Sequence, residues 1–169
     1  MNIETAIQIA SLHLKQKNIE TPILDSEILM SKILKKDRKF ILLNSNKELN
    51  DIQYQKFKKL ISSRSKRKPI AYITGKKFFW KYEFKVNDKV LIPRPDTELI
   101  IEQLLETYKH KNRINLLEIG VGSGCIILSI LKEKKNFIGK GLDLSKDCIE
   151  LCKFNADKLK VNHRIKLYK

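Results

Sequence analysis

The chain has 169 residues, of which 35 are Lys or Arg and 19 Asp or Glu, giving a formal net charge of +16 with 42% apolar and 32% charged residues. That apolar content excludes a disordered polycation, and 6 Gly with 4 Pro exclude collagen-like or low-complexity sequence. No apolar run reaches the roughly 18 residues of a bilayer span, and the first residues lack a signal-peptide pattern, so a soluble, cytoplasmic protein with no membrane attachment is expected.

Residues 3–18 place Ile3, Ala6, Ile7, Ala10 and Leu14 at helical spacing, and Asn18 stands where a helix stop belongs. Thr21 and Pro22 open a second helix whose apolar side is Ile23, Leu24, Ile28, Leu29, Ile33 and Leu34. Phe40 to Leu43 make a short apolar turn or helix, followed by a loop at Asn44, Ser45 and Asn46. From Asp51, the residues Ile52, Phe57, Leu60 and Ile61 predict another helix. Residues 1–70 therefore read as a small helical bundle.

The period then changes. Tyr82, Phe84 and Val86 alternate with Lys81, Glu83 and Lys85, as a half-buried strand requires. Asn87 and Asp88 supply turn chemistry before the apolar run Val90, Leu91 and Ile92, so residues 71–93 are expected to hold a β-hairpin linking two domains. Pro95, Asp96 and Glu98 start a helix that continues through Leu99, Ile100, Gln103, Leu104 and Tyr108. Beyond Ile114, strands at 115–119, 137–142 and 164–167 alternate with helices at 123–132 and 146–160. This βαβαβ order predicts an α/β fold in residues 94–169, with a parallel, doubly wound sheet.

Charge is uneven along the chain. Residues 1–89 carry 20 basic and 9 acidic residues, residues 90–169 carry 15 and 10, and between Lys56 and Lys85 eleven basic residues meet one acid, Glu83. Such a stretch either steers acidic partners, protein or nucleic acid, or is simply a solvated face. Cys125, Cys148 and Cys152 form no CxxC pair, and His13, His110 and His163 lie in unrelated segments, so no metal site is expected.

The segment that carries chemistry is Leu116, Leu117, Glu118, Ile119, Gly120, Val121, Gly122, Ser123 and Gly124, a strand running into a glycine-rich turn that opens a helix. Glycines there let backbone approach a ligand closely, and a helix N-terminus offers N–H donors. Asp143 lies 19 residues beyond Gly124 at the end of the next strand, where a carboxylate can accept both hydroxyls of a ribose. Together these residues specify a nucleoside-bearing cofactor. A dinucleotide fingerprint would require glycine at 125 or 127, which hold Cys125 and Ile127.

The pattern E-x-G-x-G-x-G from Glu118 to Gly124 instead resembles the first motif of S-adenosylmethionine-dependent methyltransferases. Residues 91–98, Leu-Ile-Pro-Arg-Pro-Asp-Thr-Glu, are similar to the signature of the protein-glutamine methyltransferases that modify peptide chain release factors, with Asp96 and Thr97 the most specific part. Residues 69–75, Phe79, Phe84 and the helical N-terminal segment also resemble that family, so the likeness covers essentially the whole chain. Glu118 and Ser123 stand where aspartate and threonine are commoner.

The resemblance implies methyl transfer from S-adenosylmethionine to the glutamine side-chain amide in the Gly-Gly-Gln loop of a release factor, with residues 1–70 docking the substrate. It implies cofactor contacts at Gly120, Val121, Gly122, Ser123, Gly124 and Asp143, with Glu118 beside them; Arg94 and Glu98 either touch ligand or brace the loop. The family's catalytic Asn-Pro-Pro-Tyr is absent from these 169 residues. The expectation is therefore an N-terminal fragment, inactive alone, whose strand at 115–119 is left as an exposed apolar edge. A nucleic-acid methyltransferase fragment and a non-catalytic binding module are the alternatives.

Overall fold

A computed structural model describes all 169 residues, which divide into two compact units, Met1–Thr74 and Gly75–Lys169. Each has its own apolar core.

The first unit is helical: α1 (Ile3–Gln16), α2 (Pro22–Leu34), α3 (Arg38–Leu43), α4 (Asp51–Ser65) and α5 (Ile70–Thr74). Side-chain caps fix where three of them begin. The Asn2 side chain accepts the Thr5 N–H, that of Asp37 accepts the Phe40 N–H, and Asn50 and Gln53 close a capping box on α4. Ile3, Ala6, Ala10 and Leu14 of α1 recur every three or four residues and are buried with Leu29, Met30, Ile41 and Phe57. Two acids inside this unit are paired: Arg64 Nε donates to Asp25 at 2.6 Å, and Arg38 Nε donates to Glu27 at 2.6 Å. Helix α5 has no counterpart among the expected elements. It winds directly from Pro69, whose carbonyl accepts the Tyr72 and Ile73 N–H groups, each at 3.1 Å.

The second unit opens with antiparallel strands β1 (Lys76–Phe79) and β2 (Tyr82–Lys85), register Phe79 opposite Tyr82 and Lys76 opposite Lys85. The hairpin turn is therefore Trp80 and Lys81, not Asn87 and Asp88. Asn87 does turn the chain, its side chain accepting the Lys89 N–H at 3.0 Å, but residues 87–92 form no strand. Neither Trp80 nor Lys81 advertises a turn; Trp80 is held at φ +57 by distant groups described below.

A single turn of 3-10 helix at Pro95–Thr97 leads into α6 (Glu98–Thr107). Then come β3 (Asn115–Ile119), α7 (Cys125–Glu133), β4 (Ile138–Leu142), α8 (Lys146–Lys158) and β5 (Ile165–Tyr168). The three strands are parallel in the order β3-β4-β5, as the βαβαβ rhythm requires. Ile127, Leu128, Ile130 and Leu131 of α7, Cys152 and Ala156 of α8, and Phe79 and Phe84 of the hairpin build one core. The glycine loop leaves the carboxyl end of β3, and its Val121 is buried in this core. Strand β3 has a partner on one side only. On its uncovered face Leu117 is 62% and Ile119 80% exposed.

Candidate functional site

The loop between β3 and α7 is wound tightly against the end of β4. The N–H groups of Gly120 and Val121 both donate to the Leu142 carbonyl, at 2.8 and 3.0 Å. Gly122 N–H donates to Asp143 Oδ2 at 2.9 Å, and Gly124 N–H to the Val121 carbonyl at 2.7 Å. The other Asp143 oxygen, Oδ1, accepts the Ser145 N–H at 2.9 Å, and Ser145 caps α8 through its side chain. Asp143 therefore bridges the glycine loop and the start of α8, and each of its carboxylate oxygens keeps a further lone pair for an incoming hydroxyl.

Three glycines of this loop have φ between +52 and +79, a region closed to most side chains. Their surroundings differ. At Gly120 and Gly122 an added Cβ would meet nothing within 4 Å, so bare backbone faces open space. At Gly124 it would sit 2.6 Å from Cys152 Sγ and 2.7 Å from Leu128 Cδ1, so this glycine lets α7 and α8 close on each other. Val121 and Ser123 are buried and anchor the loop rather than lining its open face.

Glu118, on the half-buried face of β3, accepts the Ile127 N–H at Oε2, 3.0 Å, and so caps the first turn of α7. Burial pushes its carboxyl up to about 7, against the opposing pull of that N–H. Cys125 and Cys152 are likewise raised, chiefly by burial, to about 11 and about 12, which keeps both thiols protonated and poor as nucleophiles or metal ligands. The expected supply of free N–H donors is thus largely spent inside the protein: Gly120, Val121, Gly122, Gly124 and Ile127 all have partners.

Of the two outlying candidates, Glu98 braces the hairpin, its Oε1 accepting the Trp80 N–H at 2.8 Å. Arg94 is exposed and precedes the 3-10 turn, where its carbonyl accepts the Thr97 N–H. Glu133, at the end of α7, holds the hairpin from the other side. It accepts the Trp80 indole N–H and the Tyr82 hydroxyl, each at 2.9 Å, and pairs with Lys81 at 3.1 Å.

The residue that sequence reasoning missed is Asn155. It is wholly buried on α8, on the stripe Cys148, Leu151, Cys152, Asn155 and Ala156. A polar residue on a buried stripe demands partners, and that was the available signal. Its Oδ1 accepts the Lys85 N–H at 2.8 Å, while Nδ2 donates to the carbonyls of Lys85 at 3.0 Å and Ser123 at 2.9 Å.

Residues 5–75 match the family model described as the PrmC N-terminal domain. A release factor glutamine methyltransferase of Clostridium acetobutylicum is 38% identical over 167 residues, spanning 99% of this chain and 59% of that protein. A bifunctional methyltransferase of Rickettsia conorii is 33% identical over 190 residues, 98% of this chain and 36% of that protein. Among solved structures, the N-terminal domain of human METTL16 overlaps 83% of this chain and 53% of its own, with a TM-score of 0.44 and 18% identity. The chain thus spans between about a third and three-fifths of the length of these two curated relatives.

Proposed function

We propose, from this chain's relationship along nearly its whole length to the release factor glutamine methyltransferases, that its second unit is the S-adenosylmethionine-binding part of such an enzyme. The observation that carries the reading is the open backbone at Gly120 and Gly122 beside the Asp143 carboxylate. That combination fits a nucleoside ligand lying flat on the loop, with its ribose hydroxyls on Asp143. The state of the loop amides favours this donor over a dinucleotide. A pyrophosphate needs free N–H groups, and here four of the loop's N–H groups are committed within the protein. A cationic sulfonium with an amino-acid tail makes no such demand.

When bound, S-adenosylmethionine supplies an activated methyl group. The chain's own residues hold the donor: Gly120 and Gly122 admit it, Gly124 and Glu118 keep the loop and the start of α7 in shape, and Asp143 orients the sugar. The acceptor in this reading is the glutamine side-chain amide of a release factor, docked through the basic first unit. An amide nitrogen is a poor nucleophile, so the reaction needs orientation and stabilisation of developing charge. The Asn-Pro-Pro-Tyr segment that serves this purpose in the family is absent from these 169 residues. The chain by itself is therefore expected to bind donor without transferring its methyl group.

Calorimetry with S-adenosylhomocysteine tests the first half: wild type gives a saturable heat and Asp143→Ala abolishes it. No heat from the wild type ends the cofactor reading. Radiolabelled methyl transfer to a release factor tests the second half, with none expected; turnover by residues 1–169 overturns it. Lysine-rich α4, with Lys56, Lys58 and Lys59 exposed, favours a nucleic-acid substrate as the second reading. Steeply salt-dependent RNA binding, with no binding to release factor, would put that reading first.

A further inference from the structure

The Asn155 carboxamide is paired with both backbone groups of Lys85 in β2, as a neighbouring strand would be, and spends its remaining N–H on the Ser123 carbonyl. The bonding fixes which way the amide faces. Flipped, its NH2 would oppose the Lys85 N–H and its oxygen would face two carbonyls. Both amide hydrogens and the oxygen are thereby used, at a side chain with no exposed surface.

The Ser123 carbonyl lies between Gly122 and Gly124, two residues with no side chain to hold the backbone there, and beyond the buried anchor Val121. We propose that Asn155 is a positioning residue: it ties the glycine loop to strand β2 through Ser123, so that the hairpin and the ligand-bearing backbone keep one relative placement. The part of this inference that concerns ligand affinity rests on the cofactor reading above, while the part that concerns the loop does not.

The test uses residues 1–169 and compares Asn155→Ala with Leu151→Ala, a change on the same buried stripe of α8 at a residue with no hydrogen bond to the loop. Amide exchange at Gly122 and Gly124 is expected to be faster in Asn155→Ala by about tenfold relative to Leu151→Ala, the size of one lost hydrogen bond. S-adenosylhomocysteine affinity is expected to fall by a similar factor, and only in the Asn155 variant. Equal effects of the two variants on loop exchange overturn the proposal. If the wild type binds no S-adenosylhomocysteine, the cofactor reading fails, and the exchange comparison still decides the role of Asn155. If Asn155→Ala does not fold, the wild-type protein answers by NMR. A scalar coupling from Asn155 Nδ2 to the Ser123 carbonyl carbon is expected, and free exchange of those side-chain amide protons overturns the bond and the proposal with it.

Discussion

Gly120 and Gly124 are four residues apart with similar φ and opposite surroundings, so one substitution at each separates folding from binding. Gly124→Ala carries both the left-handed backbone cost and a methyl group driven into Cys152 and Leu128, together about 3 kcal/mol. Gly120→Ala carries the backbone cost alone, about 1 kcal/mol, but puts a methyl group into the open space where the proposed ligand would lie. Urea melts should rank Gly124→Ala far below Gly120→Ala, while calorimetry shows S-adenosylhomocysteine binding weakened by Gly120→Ala; a stable Gly124→Ala protein would contradict the packing account. Glu118 makes a second prediction. Its carboxyl titrates near 7 in the folded chain, above the ordinary value of 4.5, so ionisation is disfavoured by folding. Stability is fully present below about pH 4.5 and is lost as pH rises through about 7, by on the order of 3 kcal/mol. Glu118→Gln keeps an acceptor for the Ile127 N–H and removes the titration, so its stability relative to wild type should rise between pH 5 and pH 8 in denaturant melts. Parallel profiles would refute the assignment. The placement of Asp143 beside the glycine loop was legible because β3 and β4 are parallel neighbours whose ends lie side by side, with only 21 residues separating Gly122 from Asp143. Asn155 and Glu133 were not, because what they bond lies 70 and 53 residues away.

Among elements, the helices and parallel strands were legible from periodicity to within about two residues at most ends, the ordinary slack in defining a helix or strand end. The hairpin shows where local rules stop. Asn87 and Asp88 have turn chemistry and make a turn, yet β1 and β2 meet instead at Trp80 and Lys81, where the deciding bonds come from Glu98 and Glu133. Helix α5 was missed for a related reason: five residues including Ile70, Ile73 and Thr74 carry too little period and too many β-branched side chains to announce a helix. Strand β3 carries a prediction of its own. It has one free edge and an uncovered face with Leu117 and Ile119, and beside it a groove of about 270 Å³ is lined by residues including Ile100, Leu104 and Ile130. A free apolar edge recruits another strand. Sedimentation velocity should therefore show concentration-dependent self-association of residues 1–169 that Leu117→Lys suppresses; a monomer at all concentrations would rule this out.

At the scale of the molecule, the structure changes the meaning of the charge. Divided at Thr74, the first unit has 15 basic and 7 acidic residues and the second 20 and 12, so each carries +8. Of the eleven basic residues between Lys56 and Lys85, seven lie in or just after α4 of the first unit and four in the hairpin of the second, so the crowding is not a property of the helical unit alone. No helix is long and apolar enough to cross a membrane. Each unit has its own core, and under the proposed function the helical one would meet the partner while the glycine loop of the other would hold the ligand. Trp80, the chain's sole indole, is clasped by acids from two different helices. Its ultraviolet emission is consequently a built-in gauge of whether the hairpin is seated, readable without any label attached to the protein.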